Sequence, residues 1–381
     1  MGAAMVIYDG KFETITHKDV YSRTIGELID EDPAVFYLDA DLMNSSGTAK
    51  LAKERLAQAV NCGVQEANMV GVAAGLSSVG KKPYIHSFGT FASRRCFDQA
   101  FLSVGYAKNS VRIFGSDAGV TAAYNGGTHM PFEDMALMRA VPGSTVIDIS
   151  DGVMLAAALR LVKDRPGLTY MRSTRKVYKA LYGEGSEFTI GEGITLRDGK
   201  DVTVFACGLL VGEALAAADA LAREGVSARV VDLFTVKPLD EGLVARCAAE
   251  TGAVVSAENH NVIGGLGSAV ADALARMCPV PMEFVGVGDR FGEVGPQEYL
   301  MERFGLTAAD VAAKAKKAIE RKKSFKGGAQ HDRDGGQYST GRCEGSGTGR
   351  RAGGEAGVGG DGRDAARPKG HRAHADRGRP C

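Results

Sequence analysis

The segment between residues 61 and 80 combines one carboxylate with a face of small residues. Apolar residues recur there at helical spacing, which predicts a helix that begins near Glu66. Gly71 and Gly75 lie on one side of this helix and would let a second backbone or a flat ligand approach closely. Phe88 and Phe91 follow the next predicted strand and could form one wall of an aromatic pocket. A plainer interpretation stays open, in which Glu66 is a first-turn glutamate favoured by the helix dipole and both phenylalanines belong to the core.

Polar residues also cluster after each predicted strand. In open α/β sheets, ligands bind beyond the carboxyl ends of the strands, so these are the segments where a site would form. The polar residues are thus placed where a binding or active site would form, but their placement does not by itself identify the reaction or the ligand. The segments are 39–46, 86–94, 115–129, 172–175, 258–267 and 288–295.

The elements that must position these segments alternate between helix and strand patterns through residues 1–324. Fully apolar strands such as Val35–Leu38 and Val111–Phe114 suit a sheet that is covered on both faces. We therefore predict an α/β fold of two doubly wound domains with mostly parallel sheets, at residues 1–181 and 201–324. Residues 182–200 are rich in glycine and charge and are predicted to be a linker. A helix is predicted at Ser46–Val60.

Composition excludes several classes of protein. A formal net charge of zero over 381 residues gives no indication of a nucleic acid partner. No apolar stretch approaches the roughly 18 residues of a membrane-spanning helix. The first residues lack the pattern of a signal peptide, so we expect a cytoplasmic protein. The 7 cysteines include no C-x-x-C pair, which argues against a zinc ribbon.

The last part of the chain differs from the rest. Residues 325–381 contain 16 glycines, and 11 lysines and arginines against 7 aspartates and glutamates. A segment with so few bulky apolar side chains cannot bury enough surface to offset the entropy of ordering. We expect a disordered, low-complexity tail rich in glycine and arginine.

The run NCGVQEANMVGVAAGL at residues 61–76 resembles the pyrimidine-binding domain of transketolase-type thiamine diphosphate enzymes, whose motif is approximately G-I-x-E-Q-N-M-x-G-x-A-A-G-L. The resemblance extends from about Ile15 to Lys322 and includes the transketolase C-terminal domain. Several blocks occur in the family's order, which makes the match specific. They include Leu38-Asp39-Ala40-Asp41-Leu42, Gly127-Thr128-His129, Val236-Lys237-Pro238-Leu239-Asp240 and Phe291-Gly292-Glu293.

The resemblance implies a set of residues that contact the cofactor, thiamine diphosphate. Glu66 matches the glutamate that hydrogen-bonds the aminopyrimidine ring and helps it to remove the thiazolium proton. Phe88 and Phe91 match the aromatic wall around the pyrimidine. Arg94 stands where other transketolases place a tyrosine, and is expected to contact the cofactor as well.

Further residues match contacts at the edges of this pocket. Asp41 and Leu42 match cofactor contacts that are made from one subunit to the next. His129 matches a catalytic histidine that hydrogen-bonds substrate oxygens, although a loop or core histidine is the alternative. For His86, on the strand before the pocket, a structural role is the better interpretation.

The sequence motifs described so far match only half of the usual family architecture. Transketolases bind the diphosphate and Mg²⁺ through a Gly-Asp-Gly motif in a separate N-terminal domain. The tripeptide Gly360-Asp361-Gly362 occurs in the tail, where no strand precedes it and no helix follows it. We therefore expect no metal ligands in this chain. A partner subunit should carry the motif, in a heterotetramer that also self-associates through the C-terminal domain.

The family's substrate pocket is matched in part. Lys18 aligns with one arginine that binds a sugar phosphate, and Ser45 aligns with a serine near a helix N-terminus. A second arginine corresponds to Arg172 or Arg175, and the alignment leaves this choice open.

Two substrate positions depart from the family. Asp117 replaces a histidine, and its carboxylate would repel a phosphate. Asn125 replaces an aspartate that recognises a substrate hydroxyl, and its amide can both donate and accept. Either the acceptor is unusual, which we favour, or the chain is a weak or silent paralogue.

The function implied is the C-terminal subunit of a split transketolase, which transfers a two-carbon ketol unit from a ketose to an aldehyde. Two alternatives stay open: the beta subunit of a 2-oxoacid dehydrogenase's decarboxylating component, and a non-catalytic paralogous subunit. In the second domain, Glu258-Asn259-His260 is expected to have a structural or interface role.

Overall fold

A computed structural model describes residues 4–331 of the chain, with side chains as far as residue 324. Twelve strands in this part form two sheets. In chain order they are β1 (Val35–Asp39), β2 (Ala59–Asn61), β3 (Lys82–Phe88), β4 (Val111–Ser116), β5 (Thr145–Asp148), β6 (Leu168–Ser173), β7 (Ile194–Arg197), β8 (Val202–Ala206), β9 (Ala228–Asp232), β10 (Thr235–Lys237), β11 (Val254–Asn261) and β12 (Met282–Val287).

Helices alternate with these strands. The α-helices are α1 (His17–Glu31), α2 (Met43–Ser46), α3 (Ala49–Glu54), α4 (Glu66–Ser78), α5 (Gly89–Ser93), α6 (Phe97–Gln99), α7 (Asp134–Ala140), α8 (Gly152–Leu161), α9 (Leu210–Arg223), α10 (Glu241–Thr251), α11 (Leu266–Met277), α12 (Gln297–Phe304) and α13 (Ala308–His331). Short 3₁₀ segments are Arg94–Cys96, Gly119–Asn125 and Gly127–His129, and a π-helical stretch is Ala100–Tyr106.

The first sheet has seven strands in the order β10-β5-β6-β4-β3-β1-β2. All neighbouring pairs are parallel except β10 with β5. Strands β3, β4 and β6 are buried along most of their length, as expected for a sheet covered on both faces. The carboxyl ends of β1, β3, β4 and β6 therefore meet at one edge of the sheet, where the candidate site lies.

The second sheet has five strands in the order β12-β11-β8-β9-β7. Its pairs are parallel except β7 with β9. Both sheets belong to one compact unit of the described residues.

The chain returns once from the second sheet to the first. Strand β10 follows β9 of the second sheet, yet it pairs antiparallel with β5 of the first. Lys237, in β10, donates through Nζ to the carbonyl oxygens of Arg139 and Val141, at 2.7 and 2.6 Å. The second domain thus supplies the last strand of the first sheet.

Side-chain caps set the start of several helices. Thr16 accepts from the Asp19 N–H at the start of α1, at 3.2 Å. Asp151 accepts from the Met154 N–H at the start of α8, and Asp240 from the Leu243 N–H at the start of α10. Each cap satisfies a backbone donor that the first helical turn leaves without a partner. No helix among the described residues is both long enough and apolar enough to cross a membrane.

The predicted fold class, two mostly parallel α/β sheets, is confirmed. The predicted helix over Ser46–Val60 is wrong in detail. Gly47 adopts φ +78° after α2, a separate short helix α3 follows, and residues 59–61 form β2 beside β1. Glycine adopts this left-handed conformation at little cost, so it ends the helix there.

Two boundaries also differ from expectation. Residues 182–200, predicted as a linker, contain β7 at the edge of the second sheet. The Tyr182 hydroxyl donates to Asp232 Oδ2 at 2.8 Å, so the segment packs against the domain that follows it. Helix α13 continues to His331, into the predicted tail. The rest of the tail prediction, including Gly360-Asp361-Gly362, lies outside the described residues.

Candidate active site

Glu66 is the first residue of α4 and is only 1% exposed. The Ser87 hydroxyl donates to its Oε1 at 2.8 Å, and Arg95 Nη1 donates to its Oε2 at 2.8 Å. The Arg95 guanidinium also lies 4.1 Å from the centroid of the Phe91 ring. The carboxylate is therefore buried and held by two donors, one of which also contacts an aromatic ring. Arg95 was not among the residues predicted from the sequence.

Three rings form a group that begins at Phe91, the ring that Arg95 contacts. The Phe88 and Phe91 centroids are 6.4 Å apart, and His129 approaches them edge-on at 6.0 and 5.1 Å. Nδ1 of His129 lies 2.9 Å from the Thr128 hydroxyl. The structure thus brings together four predicted residues, Glu66, Phe88, Phe91 and His129, from three different segments of the chain.

Arg94 holds the rim of the pocket together. It donates to the Thr90 hydroxyl and, at 3.3 Å, to the Thr128 carbonyl oxygen. Its Nε lies 3.0 Å from Glu133 Oε1. Burial raises the pKa of the Glu133 carboxyl above its ordinary value, and Arg94 partly offsets this rise. Arg94 therefore ties α5 to the segment that carries His129.

A cleft of about 330 Å³ opens beside the rings. Arg175 donates to both carboxylate oxygens of Asp117, at 2.9 and 2.8 Å, and its guanidinium lies 5.0 Å from the Phe88 centroid. A fork of this kind neutralises Asp117 and orients Arg175. The cleft then holds three positively charged side chains, from two lysines and one arginine, and a single carboxylate. The lining residues are Thr16, Lys18, Asp117, Arg175, Lys176 and Val177.

The contacts run without a break from the buried carboxylate to this cleft. Glu66 contacts Arg95, and Arg95 lies over Phe91. From there the row continues through His129 and Phe88 to Arg175. Residues predicted to bind cofactor and residues predicted to bind substrate thus form one continuous surface. Three larger clefts in the described part of the chain, of about 680, 600 and 410 Å³, contain none of the predicted residues.

Asp41 and Leu42 lie in the turn that follows β1. The Asn61 side chain donates to Asp41 Oδ1 at 2.8 Å and accepts from the Asp41 N–H at 3.1 Å, while Asp41 adopts φ +65°. The Leu42 N–H donates to Asp39 Oδ1. This turn is exposed on its outer side and is held in place by the hydrogen bonds to Asn61 and Asp39. Such an arrangement suits contact with a second molecule.

Asp39 belongs to a fully buried polar network. His86 Nδ1 lies 2.8 Å from Asp39 Oδ2, and His86 Nε2 lies 3.0 Å from the Ser116 hydroxyl. The order Ser-His-Asp is that of a hydrolase triad, but all three residues are at most 1% exposed, so no substrate reaches Ser116. The network instead joins the carboxyl ends of β1, β3 and β4, in keeping with a structural role for His86.

Ser45 lies half-buried on α2. The Lys18 side chain passes along the end of this helix, where a Cβ added at Gly47 would lie 3.1 Å from Lys18 Cγ. Asn125 is exposed on the same segment as His129. Lys18 therefore lies in the cleft and Ser45 near its edge, whereas the structure shows no contact between Asn125 and the row of rings.

The structure does not bring Arg172 into the cleft. Arg172 is 0% exposed and donates to Asp134 at 2.6 Å, to Asp148 at 3.1 Å and to the Asn259 carbonyl oxygen at 2.6 Å. Burial raises the pKa of the Asp148 carboxyl, and Arg172 counteracts this. Of the two arginines that the sequence left open, Arg175 is the one that lines the cleft, because Arg172 is enclosed between the two domains.

The geometry fits the pyrimidine ring of thiamine diphosphate. The buried Glu66 carboxylate provides a hydrogen-bond acceptor, and each of its oxygens has a second lone pair beyond its present partner. The phenylalanine rings, linked to it through Arg95, provide a flat apolar wall. Within residues 4–331, no group of three or more His, Cys, Asp or Glu side chains could hold a metal ion.

Comparison with known proteins identifies both domains. Residues 13–180 match the family model for the transketolase pyrimidine binding domain, and residues 191–311 match that for the transketolase C-terminal domain. Apart from β10, the first range contains the strands of the first sheet and the second range contains those of the second.

Similar proteins include separate transketolase subunits. The chain is 47% identical over 315 residues to the 6-deoxy-6-sulfo-D-fructose transketolase subunit SqwH of Clostridium sp. (strain MSTE9), covering 83% of this chain and 98% of that protein. It is 31% identical to an apulose-4-phosphate transketolase subunit of Phocaeicola vulgatus, covering 79% and 96%. A solved structure described as a split gene transketolase, inactive beta4 tetramer, is similar with TM-score 0.75 and 40% identity, covering 81% of this chain and 100% of that chain. The resemblance found in the sequence is thus confirmed, and the chain belongs to the transketolase family.

Proposed function

We propose that this chain is the C-terminal subunit of a split transketolase, which transfers a two-carbon ketol unit from a ketose to an aldehyde. The observation that carries the proposal is the buried Glu66 carboxylate, which Arg95 links to Phe91, and the ring contacts that continue from there to the basic cleft at Arg175. A carboxylate that meets a cofactor ring and a cationic cleft that meets a charged substrate are the two parts that this chemistry requires.

When bound, thiamine diphosphate supplies the carbanion chemistry that breaks and forms the carbon–carbon bond. Glu66 would hydrogen-bond the ring nitrogen and hold or release a proton at its free carboxylate lone pair. Phe88 and Phe91 would keep water from the face of the ring. His129, in contact with both rings, would donate to a substrate oxygen at the mouth of the pocket.

The diphosphate and Mg²⁺ sites belong, in this proposal, to a partner subunit with the Gly-Asp-Gly motif. The exposed turn at Asp41 and Leu42 would contact the cofactor from this side. Helix α4 offers a close approach to a partner, because Gly71, Gly75 and Val72 are exposed on its outer face. We propose a heterotetramer with two active sites between subunits, self-associating through the C-terminal domain.

The cleft favours a substrate with an anionic end. Lys18 and Lys176 add positive charge beside the neutralised pair of Asp117 and Arg175. Phosphate and sulfonate groups both bind such a surface. Because a similar subunit is named for 6-deoxy-6-sulfo-D-fructose, we propose a ketose with a terminal phosphate or sulfonate as the donor. Ser45, at the edge of the cleft, would add a hydroxyl, and Asn125 would read a hydroxyl or an amine of the acceptor.

The test uses this chain alone and mixed with a candidate partner, in the presence of Mg²⁺, thiamine diphosphate and hydroxypyruvate. Turnover is expected only in the mixture and should fall about 100-fold or more in Glu66→Gln, which keeps the shape of the side chain but not its charge. Glu283→Gln is the matched control, since Glu283 is also buried and paired with cations, but in the second domain. It should retain the activity.

The donors 6-deoxy-6-sulfo-D-fructose, D-fructose 6-phosphate and D-fructose then define the substrate class. A preference for the two charged ketoses would support the assignment of the cleft. Release of carbon dioxide from pyruvate would point instead to a 2-oxoacid dehydrogenase component. An assembled mixture that fails to bind thiamine diphosphate would identify a non-catalytic subunit.

A further inference from the structure

Three residues assigned to substrate contact, Asp117, Asn125 and His129, lie within residues 117–130. The backbone of this segment departs from ordinary conformations at two residues other than glycine. Asp117 has φ +60°, and Ala123 has φ +47° with ψ −116°. Each such residue costs on the order of 1–3 kcal/mol and persists only where the surroundings hold it in place.

One of the groups that holds the segment comes from the second domain. Asn259, on β11, is 1% exposed, and its side-chain amide contacts the turn on both sides. Its Oδ1 accepts from the Val120 N–H at 3.0 Å, and its Nδ2 donates to the Ala118 carbonyl oxygen at 2.9 Å. An amide side chain suits this position because it carries a donor and an acceptor on one planar group.

The Asn259 side chain packs closely against the turn and leaves no free space between them. A Cβ added at Gly119, which has φ +52°, would overlap Asn259 Oδ1. On the other side, the Ala118 N–H donates to the Ser173 carbonyl oxygen at 3.0 Å. The turn directly after Asp117 is therefore fixed between the end of β6 and the Asn259 amide.

We propose that Asn259 is a positioning residue that sets the geometry of the Asp117–Arg175 pair. The Ala118 carbonyl and Val120 N–H follow Asp117 immediately, so a change in this turn moves the Asp117 carboxylate and the guanidinium that it orients. The proposal rests on the proposed function and deepens it, because it gives the second domain a part in recognising the charged end of a substrate.

The variants are Asn259→Ala, which removes both hydrogen bonds, and Asn259→Asp, which keeps an acceptor for Val120 but sets a second oxygen against the Ala118 carbonyl. Glu258→Gln is the matched control. Glu258 is equally buried, but it caps α11 through the Leu266 and Gly267 N–H groups and makes none of its hydrogen bonds with the 117–130 segment.

Two measurements on the assembled protein test the proposal. In hydrogen exchange, peptides covering residues 118–125 should exchange about tenfold faster in Asn259→Ala than in the unmodified chain. In kinetics, kcat/KM for D-fructose 6-phosphate should fall about 10- to 100-fold in both Asn259 variants, and for hydroxypyruvate by a clearly smaller factor. Glu258→Gln should change neither the exchange nor the ratio of the two donors.

Unchanged exchange in Asn259→Ala would overturn the proposal. Equal losses for both donors would overturn it too, because they would indicate a general loss of structure. Failure of the proposed function looks different: the unmodified assembly would turn over no donor. In that case the exchange data alone decide whether Asn259 holds the turn.

Discussion

The two arginines at the end of β6 should respond in opposite ways to the same substitution. Arg172 is enclosed by Asp134, Asp148 and the Asn259 carbonyl oxygen, whereas Arg175 lines the cleft with its side chain 30% exposed. We expect Arg172→Gln to damage folding and Arg175→Gln to damage substrate binding.

The magnitudes follow from burial. Without the Arg172 guanidinium, Asp134 and Asp148 remain buried without their cation, which costs about 3–5 kcal/mol. At about 2–4 °C per kcal/mol, the melting temperature should fall by about 10 °C. Removing Arg175 should cost no more than about 1–2 kcal/mol, since the shorter glutamine would let water from the cleft reach Asp117, which Arg175 now covers. The main effect of Arg175→Gln should instead be a KM that is about tenfold higher for donor substrates with an anionic end.

The assay pairs differential scanning fluorimetry of the chain with steady-state kinetics of the assembled enzyme. Circular dichroism of each variant at about 20 °C, well below the expected transitions, confirms that the kinetics are measured on folded protein. The reasoning is refuted if Arg172→Gln keeps the melting temperature within about 2 °C while its KM rises, since Arg172 would then meet the substrate.

Three further outcomes are expected. Asp117→Asn raises the net positive charge of the cleft and releases Arg175, so KM for phosphorylated substrates should fall while kcat also falls, as read from initial rates. Gly127→Ala places a Cβ in overlap with the Gly292 carbonyl oxygen, and should lower kcat and the melting temperature together. Burial raises the pKa of Asp232 to about 7, so the folded state binds its proton more tightly than the unfolded state. Stability should therefore decline between about pH 4 and 7, by up to about 4 kcal/mol, and Asp232→Asn should flatten the urea midpoints measured across that range.

The sequence predicted the long, apolar elements of the fold well. Strands such as β1 and β4 lie close to where the apolar runs placed them, because burial along most of a strand leaves a strong pattern. The short elements β2, β7 and β10 were missed. Strands of three or four residues carry too little periodicity of their own, and their pairing depends on tertiary neighbours.

For the site, the family motif was enough to predict that Glu66, Phe91 and His129 lie together. It could not distinguish Arg172 from Arg175, because Arg172 lies in β6, Arg175 lies in the loop after it, and their burial is decided by the packed second domain. It also missed Arg95, which contacts both Glu66 and Phe91. The doublet Arg94-Arg95 beside Phe91 was the signal available in the sequence.

Because β10 pairs with a strand of the first domain, we expect that neither domain folds properly when it is expressed alone. Residues 1–181 expressed alone would lose the partner of β5, and the sheet would end in a bare, apolar edge that invites association with other chains. Residues 182–331 alone would carry β10 with nothing to pair against. Engineering that divides, permutes or swaps this subunit should therefore keep residues 4–331 together, since helix α13 also packs on the second sheet, and place its junctions outside that range.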